Sequence, residues 1–178
     1  MTEKIIIAGA GGQGVMLLGK VLAEAAMQQS LYVTWLPSYG AEVRGGTAHC
    51  MVVVSDTQIG SPYVAVADGL IVMNEPSLHR FKTRIKGNGI LVINNSLVTH
   101  DEKIDSTKNI FRHPFTGIAS GMGNVKVANM VALGFFITQK KIIKPQSVFK
   151  AMRLLAPQGK DYLIQINEKA LTEGMKLK

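Results

Sequence analysis

Along the 178 residues, short continuous apolar runs alternate with longer apolar stretches at helical spacing. The run Glu3 to Ala8 predicts a buried strand, and Val15 to Ala26 predicts a helix. In that helix Val15, Leu18, Leu22 and Ala25 share one face, flanked by Val21 and Ala26, the stripe of a helix lying on a sheet. Leu31 to Leu36 predicts a second strand that Pro37 should stop. Thr47 to Ser55 begins in alternation and turns continuously apolar at Met51-Val52-Val53-Val54, so a third strand is expected. Asp56 to Pro62 is turn material. Gly69 to Met73 and Gly89 to Asn94 read as further strands, with Asn74 capping a helix from about Pro76 to Lys86. Ser96 to Asp105 is polar and undecided, and Asn109 to His113 is a short strand before Pro114. Val125 to Gln139 predicts a helix apolar nearly all round, hence buried on several sides. Helices over Pro145 to Leu155 and Asp161 to Met175 complete the pattern.

Strands alternating with helices specify an α/β fold, here a doubly wound, Rossmann-like, three-layer domain with a mostly parallel sheet. With no internal repeat, low-complexity tract or linker, one domain over residues 1–178 is expected. A hydrophobic fraction of 47% against 18% charged residues is that of a globular chain. No apolar run reaches the length that crosses a bilayer; the richest, Val125 to Thr138, carries Lys126 and Asn129. The amino terminus lacks a signal-peptide pattern, so the expected location is the cytoplasm. The single cysteine, Cys50, excludes an internal disulfide and supplies too few thiolates for an iron–sulfur cluster. A net charge of +8 admits an acidic partner or nucleic acid. The basic groups His79 to Lys86 and Lys140-Lys141 with Lys144 lack the interleaved aromatics of nucleic-acid modules. They read as solvated faces or as docking charge for an acidic protein or anionic substrate, and nucleic acid is not expected.

Candidate chemistry centres on Gly9-Ala10-Gly11-Gly12-Gln13-Gly14, between the first strand and the first helix. A helix N-terminus there offers free N–H groups and a positive dipole end to an anion. A dinucleotide site also needs an acidic residue ending the second strand, but that strand ends Trp35-Leu36-Pro37-Ser38. A Walker loop is excluded because no Lys-Ser or Lys-Thr follows the last glycine. Three readings stay open: contact with an anionic ligand or a partner's active site, which is favoured, a turn needed only for strand–helix packing, and, least favoured, a dinucleotide site.

Tyr39-Gly40-Ala41-Glu42-Val43-Arg44-Gly45-Gly46 should emerge on the same sheet edge as the glycine loop. Arg44 offers a forked donor for carboxylate or phosphate, Glu42 is placed to orient it, and Gly45-Gly46 permit close approach. A surface loop with a weak local ion pair is the alternative. Cys50 reads as a small buried hydrophobe, and His49, His79, His100 and His113 lack metal-ligand spacing. Asn129, in an apolar helix, must find hydrogen-bond partners, in a nearby loop or in a partner chain. Ligand-like loops without a nucleophile–base pair or paired carboxylates suggest a subunit.

Four stretches carry a family resemblance: Gly-x-Gly-Gly-Gln-Gly at 9–14, Tyr-Gly-x-Glu-x-Arg-Gly-Gly at 39–46, Ser-Asp…Ile-Gly-Ser-Pro at 55–62 and Asn-Met-Val-Ala-Leu-Gly at 129–134. Together they resemble the gamma subunit of 2-oxoacid:ferredoxin (acceptor) oxidoreductases. The resemblance spans nearly the whole chain and weakens after about residue 145; Trp35 to Gly40 is most similar to the 2-oxoglutarate type. Ala67-Asp68 departs from the family's frequent Pro-Asp. The resemblance implies a complex that converts a 2-oxoacid and CoA to acyl-CoA and CO2 and reduces ferredoxin. It implies thiamine diphosphate held by alpha and beta chains and iron–sulfur clusters held by partners, with a ferredoxin-like delta chain as a further candidate. The cofactor-binding set carried over is Gly9, Gly11, Gly12, Gln13, Gly14, Tyr39, Glu42, Arg44, Gly45, Gly46 and Asn129. The glycine loop would face partner chains or the CoA phosphates, and Tyr39, Glu42 and Arg44 would order the loop that closes there. No catalytic residue or metal ligand is expected in this chain. The alternatives are a free-standing CoA- or nucleotide-binding α/β domain and a pure scaffold, and the isolated chain is a candidate homodimer.

Overall fold

The computed structural model describes residues 1–38, 47–99, 104 and 109–178. Six strands, β1 (Thr2–Ala10), β2 (Tyr32–Ser38), β3 (Thr47–Ser55), β4 (Ala67–Val72), β5 (Ile85–Asn94) and β6 (Asn109–His113), form one sheet in the order β2-β3-β1-β4-β5-β6. β3 runs antiparallel to both its neighbours, and the other pairings are parallel. The reversal follows from chain connection: residues 39–46 are too short a link for a parallel crossover, so β2 and β3 pair antiparallel. The remaining strands all point the same way, as the doubly wound pattern requires.

Helices α1 (Val15–Met27), α3 (Phe115–Gly121), α4 (Ala128–Lys140), α5 (Pro145–Leu155) and α6 (Asp161–Met175) share one apolar layer with Ile5, Ile7, Cys50, Val52 and Ile71. On the other face Ile6, Ala8, Met51, Val53 and Leu70 are covered by α2 (Glu75–Phe81) and by Val64 of the 56–66 connection. The period-2 alternation of β1 and β3 thus feeds two cores, one on each side of the sheet. α4 is buried from Ala128 through Ile137 because it lies between the sheet and α6. At that crossing Gly134 and Gly174 bring the two helix backbones into direct contact. Among the described residues, no helix is long and apolar enough to cross a membrane.

Four local expectations need correction. Pro37 does not stop β2, which continues to Ser38 with Pro37 opposite Cys50. As an edge strand β2 tolerates a residue with no N–H, and the same proline blunts the open edge. The helix capped by Asn74 ends at Phe81 rather than Lys86. Ile85 is drawn into the sheet opposite Ala67, and the register then shifts so that Gly69 meets Ile90. Phe115–Gly121, left outside any predicted helix, is α3. Its first turn is held from afar: Thr116 N–H donates to Asn94 Oδ1 (3.2 Å) and Gly117 N–H to Ser96 Oγ (3.1 Å). The long helix also starts later than expected, because Val125–Val127 is a 3-10 turn leading into α4.

Candidate functional site at the carboxyl edge of the sheet

β1 ends at Ala10, β4 at Val72, β5 at Asn94 and β6 at His113, all on one edge. After β1 the chain crosses over one face through α1, and after β4 it crosses the other face through α2. That reversal opens a crevice between the ends of β1 and β4, where open α/β sheets bind ligands. The glycine loop fills one side of it.

The glycines divide by role. A Cβ on Gly9 would fall 2.6 Å from Gln13 Oε1 and 2.9 Å from Val15 Cγ1, so Gly9 is required for packing. Gly14 sits at φ 70°, and a Cβ there would fall closer than 3.0 Å to Asn129 Nδ2. Gly11 and Gly12 differ: both are exposed, and a Cβ on either would meet nothing within 4 Å. Bare backbone at 11 and 12 is therefore open to an incoming group.

Side chains around the loop hold it still. Gln13 Oε1 accepts from Ala10 N–H (2.6 Å), and Gln13 Nε2 donates to Met73 O (3.2 Å), tying the end of β1 to the end of β4. The same Met73 carbonyl accepts from Asn94 Nδ2 (3.1 Å), and that amide also donates to Thr116 Oγ1 (2.8 Å). Asn129 Nδ2 donates to Gly14 O (3.0 Å). Gln13 and Asn129 thus act as positioning residues whose amides are committed to the protein. α1 itself starts with no side-chain cap and no acidic residue in its first turn. The N–H groups of Val15, Met16 and Leu17 precede the first intrahelical bond, Leu18 N–H to Gly14 O (2.9 Å). They form a positive dipole end suited to an anionic group. From Leu17 an apolar groove of about 250 Å³ leads away between α1, α4, α5 and α6, lined by Met130, Met152, Leu155 and Leu163.

Tyr39, Glu42, Arg44, Gly45 and Gly46 lie outside the described residues. Their flanks are placed: Ser38 pairs with His49, and Thr47 pairs with Ala10 at the end of β1. The segment therefore leaves and re-enters the sheet at the edge that carries the glycine loop.

Sequence reasoning missed His49 and Arg80. Alternation along Thr47–Ser55 puts His49 on the α2 side, where its ring packs 4.8 Å from Phe81 and its Nδ1 has no hydrogen-bond partner. Arg80 donates to Thr47 Oγ1 (2.5 Å) and lies 5.3 Å over Phe81. Burial first, then the Arg80 and Arg84 charges, hold His49 below the ordinary histidine range; burial alone lowers His113. Such histidines bind more protons unfolded than folded, so stability is full above the unfolded pKa, roughly 6.5, and falls as pH drops below it. We expect the thermal midpoint to fall between pH 7.5 and pH 5, conditions that bracket the ~6.5 value. His49→Gln with His113→Gln should flatten that slope. A wild-type midpoint that stays level over the interval contradicts the assignment.

Cys50 is inert by comparison. Burial pushes its thiol up to about 12, and Sγ donates to Val15 O (3.4 Å). Among the described residues no three His, Cys, Asp or Glu side chains come together to hold a metal ion. Among the described residues the edge offers free backbone N–H groups and an apolar groove, and no nucleophile with a base beside it.

The family model for pyruvate ferredoxin/flavodoxin oxidoreductase matches residues 4–177. The chain belongs to that family. It is 34% identical over 171 residues to the ketoisovalerate oxidoreductase subunit VorA of Methanothermobacter marburgensis, covering 96% of this chain and 35% of VorA. This member of the family thus spans about a third of the length of VorA. It is also 34% identical over 186 residues to the 2-oxoglutarate synthase subunit KorC of the same organism, covering 99% of this chain and all of KorC. The crystal structure of a keto/oxoacid ferredoxin oxidoreductase gamma subunit from Geobacter sulfurreducens superposes with a TM-score of 0.84 at 27% identity, covering 98% of this chain and 96% of that one.

Proposed function

We propose that this family member is the gamma subunit of a 2-oxoacid:ferredoxin oxidoreductase, with 2-oxoglutarate the favoured 2-oxoacid. End-to-end similarity to KorC supports the substrate, since VorA contains three times as much chain for the same match. The complex converts the 2-oxoacid and CoA to acyl-CoA and CO2, with an electron pair leaving to ferredoxin. Thiamine diphosphate on the alpha and beta chains supplies the decarboxylation chemistry. Iron–sulfur clusters fit the partners and not this chain, whose one thiol is buried and protonated at neutral pH.

The observation that carries the reading is the uncapped start of α1 beside the bare backbone of Gly11 and Gly12. This chain binds and orients: the first-turn N–H groups of α1 hold the CoA phosphates, and Gly11 and Gly12 let them approach. Gln13 and Asn129 keep the loop in shape, and Arg44, with Tyr39 and Glu42, closes over the anion from the 39–46 segment. Gly9, Gly45 and Gly46 supply close packing and close approach. The chain works in the cytoplasm as one domain over residues 1–178.

The test is to purify the tagged chain from its host and assay the eluate for 2-oxoacid- and CoA-dependent reduction of a viologen dye. Co-elution of thiamine-binding chains with that activity is the expected result. A chain that elutes alone, inactive, yet binds CoA would replace this reading with a free-standing binding domain.

A further inference from the structure

Residues 56–66 carry the chain from the end of β3 to the start of β4, at the sheet edge opposite the glycine loop. The segment has neither helix nor strand, yet it is pinned along its length. Val64 is fully buried and its N–H donates to Met51 Sδ (3.3 Å). Arg84 donates to the carbonyls of Val64 and Ala65 (the latter 3.1 Å) and to the Tyr63 hydroxyl (3.3 Å). Its guanidinium lies 5.4 Å from the Tyr63 ring and 5.5 Å from that of Phe81. Ser55 Oγ accepts from Thr57 N–H (3.1 Å), and Ser61 Oγ from Tyr63 N–H (3.2 Å).

This pinning holds apolar side chains out in water: Tyr63 is 57% exposed and Val66 46%, with Pro62 and Ala65 also exposed. Beside Tyr63 lies a pocket of about 220 Å³ lined by Lys4, Gln58, Ile59, Thr2 and Ser55. The Thr2 and Ser55 hydroxyls bond to each other (2.9 Å). Among the described residues Lys4 Nζ has no ion-pair partner, so the pocket offers one free cation.

We propose that this face is a subunit-docking surface whose occupant is an acidic, partly apolar segment of another chain of the oxidoreductase complex. A carboxylate of that segment seats against Lys4, and its apolar atoms cover Tyr63 and Val66. A lysine with no ion-pair partner among the described residues, on a chain of charge +8, selects an acidic partner. An aromatic stacked on arginine in a rigid frame is the composition of an interface hot spot, with little ordering cost left at binding. A chain docked here leaves the glycine loop, on the opposite edge, open to substrate. The proposal rests on the gamma-subunit reading.

The test replaces the chain in its host's complex with tagged wild type, Tyr63→Glu, Lys4→Glu and, as a control on the other face of the sheet, Met27→Glu. Partner subunits recovered per tagged chain are measured at low salt and at roughly 0.5 M, where charge steering is screened. Thermal midpoints of the isolated variants verify folding. We expect Tyr63→Glu and Lys4→Glu to lose at least roughly tenfold of the partner at low salt. Wild type should fall toward Lys4→Glu as salt rises, and Met27→Glu should match wild type. Wild-type retention by both Tyr63→Glu and Lys4→Glu, or equal loss in Met27→Glu, overturns the docking surface alone. A wild-type chain that recovers no partner subunit overturns the gamma-subunit reading and this proposal with it.

Discussion

Gly14→Ala should lower the thermal midpoint by about 10 °C, the equivalent of about 3 kcal/mol for a chain of this size. Two costs combine. At φ 70° an L-residue is disfavoured by roughly 1–2 kcal/mol. The new methyl also falls on Asn129 Nδ2, closer than 3.0 Å, and must push that amide off Gly14 O. Gly14 O keeps its bond from Leu18 N–H, but the displaced Asn129 amide is buried and loses its acceptor, which adds about 1–3 kcal/mol. Asn129→Ala in the same chain makes room for the methyl and leaves the φ strain, so the double variant should be less destabilised than the two single effects predict. Circular dichroism melts of the four chains check this. A Gly14→Ala midpoint within about 2 °C of wild type, less than 1 kcal/mol on the same scale, contradicts it.

Gly174→Ala should be worse. A Cβ on Gly174 falls closer than 3.0 Å to Val131 O, and one on Gly134 does the same to Leu171 O. The obstacle in each case is a helix backbone, which cannot rotate away as a side chain can. α4 is buried on every side, so α6 must move off it and open the main core. Overpacking of about 3 kcal/mol or more is expected from either Gly134→Ala or Gly174→Ala. The measured sign would be loss of a cooperative melt, or a midpoint lowered by at least about 10 °C. A near-native midpoint for both variants would show that the α4–α6 contact is looser than described.

Elements whose signal is local were legible. The stripe in Val15 to Ala26, the apolar run of Thr47 to Ser55 and the all-round apolarity of Val125 to Gln139 each appear in the fold because packing rewards what the spacing offers. What could not be read depends on residues distant in sequence. α3 is a weak helix stabilised by an Asn94 amide from 22 residues upstream. β2 passes through Pro37 because, among the described residues, no strand lies on its outer side, which a chain order does not reveal. At the site, the glycine loop was legible as a motif, but its division into buttressed glycines at 9 and 14 and bare ones at 11 and 12 was not. That division depends on Gln13 reaching Met73, 60 residues away, and on Asn129 reaching Gly14, 115 residues away. His49 was within reach of the strand alternation, which places it on the α2 face.

Gly11→Ala and Gly11→Val in the assembled complex test the central claim, that bare backbone at this edge receives CoA. A Cβ at Gly11 meets nothing within 4 Å and the position is exposed, so isolated variants should melt within about 2 °C of wild type. In the complex, kcat/KM for CoA should fall at least roughly tenfold, more for Val than for Ala, while complex assembly is unchanged. If both variants assemble and turn over CoA as wild type does, the glycine loop does not face the ligand, and the account of this site is wrong.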